Sequence, residues 1–161
     1  MKFIADGMLG KLTRWLRMLG QDIMYSNQLE DSELIVIAKK EHRILLTRDL
    51  QLHKRASAKC VQVFYVAGKT EAEKLSRLAE RLDFSLTIDL NRSRCPKCNA
   101  KIRLTPKEKL EGKVEKNTFN NYKEFWKCPK CSNVYWQGAH WKGIQATLEE
   151  ARKVRVHRSN F

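Results

Sequence analysis

At 161 residues, with 42% hydrophobic and 31% charged content, the chain has room for one domain or two small ones, and for a real core in the larger. No apolar run approaches the ~18 residues of a membrane span. Met1–Asp6 meets an acid too early for a secretory leader, so the expected location is the cytoplasm. The formal charge of +14 is segregated: residues 1–90 hold 15 Lys/Arg against 12 Asp/Glu, and residues 91–161 hold 17 against 6. An excess concentrated this way points to a polyanionic partner, most commonly nucleic acid.

In chain order, residues 2–5 read as a first strand ending at Asp6. Leu9, Leu12, Leu16 and Leu19 keep a helical period on one face, with Lys11, Arg14 and Arg17 on another, and Gly20 stands where a helix C′ glycine belongs. Asp22–Tyr25 is a second strand. Asp31-Ser32 opens a helix that turns Leu34, Ile35, Ile37 and Ala38 inward. The apolar run Ile44–Thr47 suits a buried strand and is too short for a buried helix. A basic helix then covers 49–59, and Val61–Val66 is a fourth strand. Thr70 and Glu73 form a capping box before a helix whose stripe is Leu75, Leu78, Ala79 and Leu82. Strands alternating with helices at this spacing predict an α/β domain with a parallel sheet over residues 1–90.

Asn91–Arg94 reads as a polar, basic hinge into a second module, residues 91–141. A final helix is expected over 142–153 in a C-terminal segment, 142–161, whose tail is weakly ordered. Four of the five cysteines form two Cys-x-x-Cys pairs, Cys95/Cys98 and Cys128/Cys131, separated by 29 residues that must bulge out as a hairpin or long loop. Two such pairs make a closed tetrahedral Zn²⁺ site with a structural role, in which His140 is no ligand. Cys60 is expected to be a buried, inert thiol. Asn117–Asn121 reads as a loop and Val134–Trp136 as a strand. Lys97, Lys101, Arg103, Lys123, Lys127 and Lys130 interleave with Tyr122, Phe125, Trp126, Tyr135 and Trp136. Contact of these cations with a nucleic-acid backbone is the main expectation, and stacking of the aromatic rings on unpaired bases the lesser one.

Three acids stand at informative places: Asp6 after the first strand, Asp31 at a helix start and Asp49 after the third strand. Each alone reads as a helix cap. All three on the rim of a basic protein suit a hard divalent cation such as Mg²⁺ that activates water against a phosphodiester. For Asp6 and Asp49 to share that ion their strands must be neighbours, which predicts sheet order 2-1-3-4 with both acids at the switch point. Glu30 and Glu33 are read as solvated, and His42 and His53 as surface residues. Arg14, Arg17 and Arg48 lie where they could clamp phosphate, Arg48 foremost. Thr47 could orient a carboxylate or a water in the substrate site.

Asp6–Gly20 and Ile44–Asp49 closely resemble the Mut-seven C-terminal ribonuclease domain, a branch of the PIN-like nucleases. So does Cys128–Cys131 followed by Val134–Trp141, and the likeness spans about residues 2–141. The resemblance implies a PIN-like three-layer α/β fold with an appended zinc ribbon, RNA hydrolysis, and Mg²⁺ or Mn²⁺ on Asp6, Asp31 and Asp49. Many PIN nucleases carry a fourth acid just beyond the third, where this chain has Leu50, Gln51, Leu52 and His53, so one metal is expected. The leading expectation is a metal-dependent ribonuclease acting on RNA, such as ribosomal or transfer RNA. The rivals are a non-catalytic RNA-binding adapter and a nuclease of the toxin or rRNA-maturation kind.

Overall fold

The structure is a computed structural model that describes the backbone of residues 1–159 and side chains through residue 154. Four strands, β1 (Lys2–Ala5), β2 (Asp22–Tyr25), β3 (Ile44–Thr47) and β4 (Val63–Tyr65), form an all-parallel sheet in the order β2-β1-β3-β4, as expected. Its interleaved helices are α1 (Gly10–Met18), α2 (Asp31–Lys40), α3 (Leu50–Ala58) and α4 (Glu71–Leu82).

The two central strands, β1 and β3, are covered on both sides, which is why residues 3–5 and 44–46 run apolar without a polar alternate. Alternation survives in which layer each side chain enters. Phe3, Ala5, Ile44 and Leu46 join the α1 leucines and Leu75, Leu78 and Ala79 of α4. Ile4 and Leu45 point the other way, into Leu34, Ile35 and Ala38 of α2 and Leu52 and Ala56 of α3. The anticipated stripe of α1 is buried throughout. The capping box of α4 is shifted by one residue: Thr70 Oγ1 accepts from Glu73 N at 3.1 Å, whereas Glu73 Oε2 accepts from Lys69 N at 2.8 Å.

The last helix, α6 (Trp141–Ser159), runs further than the expected 153. Residues 160–161 of the anticipated tail lie outside the described residues. It packs along α4 and adds Leu148 and Ala151 to the core of the first domain. The chain thus leaves the α/β unit, builds the ribbon and returns.

The ribbon holds β5 (Arg103–Thr105), α5 (Lys116–Asn121), β6 (Phe125–Lys127) and β7 (Val134–Tyr135), with antiparallel order β5-β6-β7. The 29 residues between the cysteine pairs are therefore mostly a long β5–β6 hairpin. Near its tip, residues 117–121 are helical, correcting the loop expected there. That helix buries no side chain, so its sequence carries no apolar period to read. Cys60 is also corrected: it is exposed, at φ 55° just past the end of α3, because Val61 and not Cys60 is the residue that enters the core.

Asn91–Arg94 is not a loose hinge. The joint also meets the carbonyls at the end of α1: Arg94 N donates to Arg17 O at 2.8 Å beside Gly20 N at 3.0 Å, and the buried Ser93 Oγ lies 2.5 Å from Met18 O. Gly20, at φ 83°, follows directly, and a Cβ there would come 3.0 Å from Arg92 O, so glycine serves both the left-handed turn and the close approach.

Candidate active site and metal centre

The parallel register brings Ala5 beside Leu46, so the next residues, Asp6 and Thr47, meet at the carboxyl ends of two adjacent central strands. Asp6 is buried at 6% exposure. Its Oδ1 accepts from Met8 N at 2.9 Å, and its Oδ2 accepts from the Thr47 hydroxyl and, at 3.3 Å, from Arg48 N. Thr47 Oγ1 in turn accepts from Asp49 N at 2.9 Å. Thr47 is fully buried, and its hydroxyl bridges the Asp6 carboxylate to the Asp49 backbone N–H. Asp49 caps α3, with Oδ1 accepting from Gln51 N at 2.7 Å and Leu52 N at 3.2 Å.

Capping does not exhaust these carboxylates. An ionised carboxylate has about four acceptor sites; Asp6 fills three with these donors, and both caps on Asp49 fall on Oδ1. A cap on one oxygen and a cation on the other are compatible. Asp31 stands apart. Its Oδ2 is 3.1 Å from Arg55 Nη1, an ion pair half-exposed on both sides. The cap of α2 is Glu30, whose backbone N–H donates to Glu33 Oε2 at 2.8 Å, so those two glutamates serve each other in a capping box. Among the described residues the three aspartates do not gather into a ready-made ligand group. Arg48 and Arg14 are exposed, Arg48 directly at the rim.

Arg17, expected as a phosphate contact, is buried instead. Its guanidinium donates to Ile23 O through Nε (3.3 Å) and Nη2 (3.0 Å), and through Nη1 to Pro96 O (2.8 Å) and Lys97 O (3.1 Å). Beside it, Asn99 accepts from Ile23 N at 3.2 Å and donates to Asp22 Oδ1 at 2.9 Å. One edge of the sheet, strand β2, is thereby closed by the first cysteine loop. Burial pushes the Asp22 carboxyl up, but the bonds from Asn99 and Arg43 and the charge of Arg94 outweigh it and hold the group below its ordinary value. Burial lowers the Arg17 guanidinium, against the charges of Cys95, Cys98 and Asp22.

The four cysteines do gather. Their Sγ atoms lie within 4.8 Å of one another, with Cys95–Cys131 at 3.5 Å and Cys98–Cys128 at 3.4 Å. A tetrahedral ion with Zn–S bonds of about 2.3 Å requires edges of about 3.8 Å, so the set fits a metal such as zinc. The two loops repeat one geometry. Asn99 N donates to Cys95 O (2.9 Å) and Ser132 N to Cys128 O (3.0 Å); Cys95 N donates to Ala100 O (2.8 Å) and Cys128 N to Asn133 O (2.9 Å). Asn99 and Ser132 both take positive φ, 70° and 62°. Asn133 donates to Cys131 Sγ at 2.9 Å and helps draw that thiol down to about 6, whereas burial and the neighbouring thiols push Cys98 up to about 12. Four thiols this close cannot all ionise without a cation among them. His140 stands outside the cluster, as expected.

Asn99, Asp22 and Asn133 had no assigned role in the sequence. The one available signal was position: Asn99 directly follows the second cysteine of its pair, where a left-handed residue is needed and asparagine is favoured.

No curated protein and no solved structure matches the chain. The sequence profile described as Mut7-C RNAse domain matches residues 1–148 and so spans both the linked aspartates and the cysteine centre. It points to a nuclease with an RNA substrate, in keeping with acids at the carboxyl rim of a parallel sheet. On this evidence the chain belongs to the Mut7-C RNAse domain family.

Proposed function

We propose that the protein is a metal-dependent ribonuclease that hydrolyses RNA phosphodiester bonds, with a zinc-stabilised ribbon that helps hold the RNA. The observation that carries this reading is the Asp6–Thr47–Asp49 chain of hydrogen bonds, in which the Thr47 hydroxyl bridges the Asp6 carboxylate to the backbone N–H of Asp49 and so fixes the two residues beside each other at the ends of adjacent strands. A hard cation needs only one or two protein carboxylates, the rest of its shell being water and substrate phosphate, so Asp6 and Asp49 suffice, with Asp31 as a third arm freed by parting from Arg55. Asp6 and Asp49 would hold Mg²⁺ or Mn²⁺ there, and the ion would supply an activated water and charge neutralisation at the scissile phosphate. Thr47 fixes the orientation of Asp6. Arg48 presents an exposed cation to the phosphate, and Arg14 on α1 is a second exposed cation. Zinc on Cys95, Cys98, Cys128 and Cys131 serves structure alone, since four thiolates leave no open position.

The test is cleavage of structured and unstructured RNA in Mg²⁺, in Mn²⁺ and with a chelator. Asp49→Asn is expected to lose at least about 100-fold in rate, the scale of removing a group that stabilises transition-state charge. Full activity of Asp49→Asn would refute the site. A second reading, an RNA-binding adapter, draws on the aspartates' failure to gather into a ligand group. It requires salt-sensitive RNA binding with no cleavage under any divalent ion.

A further inference from the structure

The aromatic residues of the ribbon fall into two sets. Phe125 and Trp126 are buried at 0% and 4% exposure and make its core. Tyr122, Tyr135 and Trp136 are only half-buried, and with Trp141 and His140 they line a hollow of about 390 Å³ where β7 turns into α6. That volume falls within the range of small-ligand sites, and these five flat rings make up half of the lining.

The hollow is built rather than incidental. Trp141 N donates to Gly138 O at 3.0 Å, closing the turn that brings Trp136 and Trp141 to one cavity. A Cβ on Gly138 would lie 2.6 Å from Trp136 Nε1 and 3.0 Å from its Cδ1, so the indole can rest there only because residue 138 is glycine. Trp136 is further fixed by tilted contacts with Tyr122 (6.4 Å) and Phe125 (6.2 Å), and Tyr135 is anchored by its hydroxyl, 3.0 Å from Cys95 Sγ. Rings fixed before binding lose little entropy when a flat ligand enters. Exposed Lys123 and Lys142 directly follow Tyr122 and Trp141 in the chain, within a segment of 17 Lys/Arg against 6 Asp/Glu.

We propose that this hollow is a binding site for a single unpaired RNA base, stacked on Trp136 and Trp141, with the flanking phosphates met by Lys123 and Lys142. The proposal rests on the ribonuclease reading for its substrate class and adds a preference for single-stranded RNA. A duplex keeps its bases stacked on one another, and its charge alone would not engage the rings.

The test measures binding, not cleavage, with the full zinc-loaded chain and no added Mg²⁺ or Mn²⁺. The probe is a short single-stranded oligoribonucleotide carrying 2-aminopurine, compared with a duplex and with an oligonucleotide containing one abasic position. Wild type is expected to quench the 2-aminopurine and to bind the single strand more tightly than the duplex. Trp136→Ala should weaken single-strand binding about tenfold, the scale of one stacked base, and should add no further loss when the abasic position is present. Gly138→Ala should do the same with the tryptophan still in the sequence, and Trp136→Phe should recover part of the affinity. Unchanged single-strand binding in both alanine variants would overturn the proposal, and so would an equal loss toward single strand and duplex. Because no cleavage is read, either result leaves the assignment of Asp6 and Asp49 to stand or fall on its own assay.

Discussion

The two candidate metal centres of this protein are assembled in opposite ways. The cysteine centre is local and repetitive: each loop fixes its two thiols through hydrogen bonds within about six residues, and the halves meet by pairing β6 with β5 and β7. The carboxylate rim draws Asp6, Asp31 and Asp49 from three separate strand–helix connections, and each is already engaged by a backbone donor or by Arg55. The contrast is one of ligand strength and task. A closed structural site gains folding energy from being complete, whereas a site meant to admit a substrate phosphate and water gains nothing from filling its own shell. Arg17 couples the two regions, since it grips the cysteine loop from inside the α/β unit.

The largest effect should come from the cysteine centre. The ribbon buries little more than Ile102, Leu110, Phe125 and Trp126 beside the cysteines, too small a core to fold alone. Chelation of zinc or Cys95→Ser is therefore expected to unfold residues 91–140 while the sheet survives, which hydrogen exchange would resolve segment by segment. Protection of both parts after zinc removal would contradict a structural role for the metal.

Next, Arg17→Ala should destabilise the chain by about 3–5 kcal/mol, since the Ile23 carbonyl and the part-buried carbonyls of Pro96 and Lys97 lose a charged donor at about 1–3 kcal/mol each with some relief by water. Arg17→Lys should recover little, because an ammonium cannot reproduce the fork that spans Ile23, Pro96 and Lys97. Denaturant midpoints measure both. Loss of RNA binding by Arg17→Ala without loss of stability would return Arg17 to the substrate surface.

Thr47→Val, nearly isosteric, deprives Asp6 of a donor and Asp49 N of an acceptor. A loss of about 1–3 kcal/mol is expected from unfolding curves, with a fall in cleavage beyond what that instability explains. Wild-type activity in this variant would separate Asp6 from Asp49.

The smallest effect is pH-dependent. The Asp22 carboxyl is held below its ordinary 3.8, so its contribution is fully present above that value and is lost as the pH falls toward the lowered folded value. Asp22→Asn should cost about 1–2 kcal/mol near neutrality, and the Tm gap from wild type should narrow below about pH 4. A gap unchanged with pH would mean that Asp22 is not charged at this junction.

Much of the fold was legible because its signals are local. The apolar runs at Ile4 and Leu45, the leucine spacing of α1 and the Thr70 cap declare their elements without reference to anything distant. The sheet order followed from one chemical demand, that Asp6 and Asp49 be neighbours. Short surface elements such as α5 were illegible because they bury nothing.

By itself the sequence determined the strands and helices of the α/β unit, that four cysteines make one centre, and that Asp6 and Asp49 end up at strand ends. Those features depend on spacing along the chain, and spacing is what a sequence records. Only the tertiary structure decided that Arg17 turns inward to a cysteine loop some 80 residues away, that α6 closes over α4, and that Trp136 lies on Gly138. Each of these depends on which backbone carbonyls, apolar faces or open glycines are left unpartnered once the elements have packed. That remainder is a property of the assembled molecule and not of any one segment.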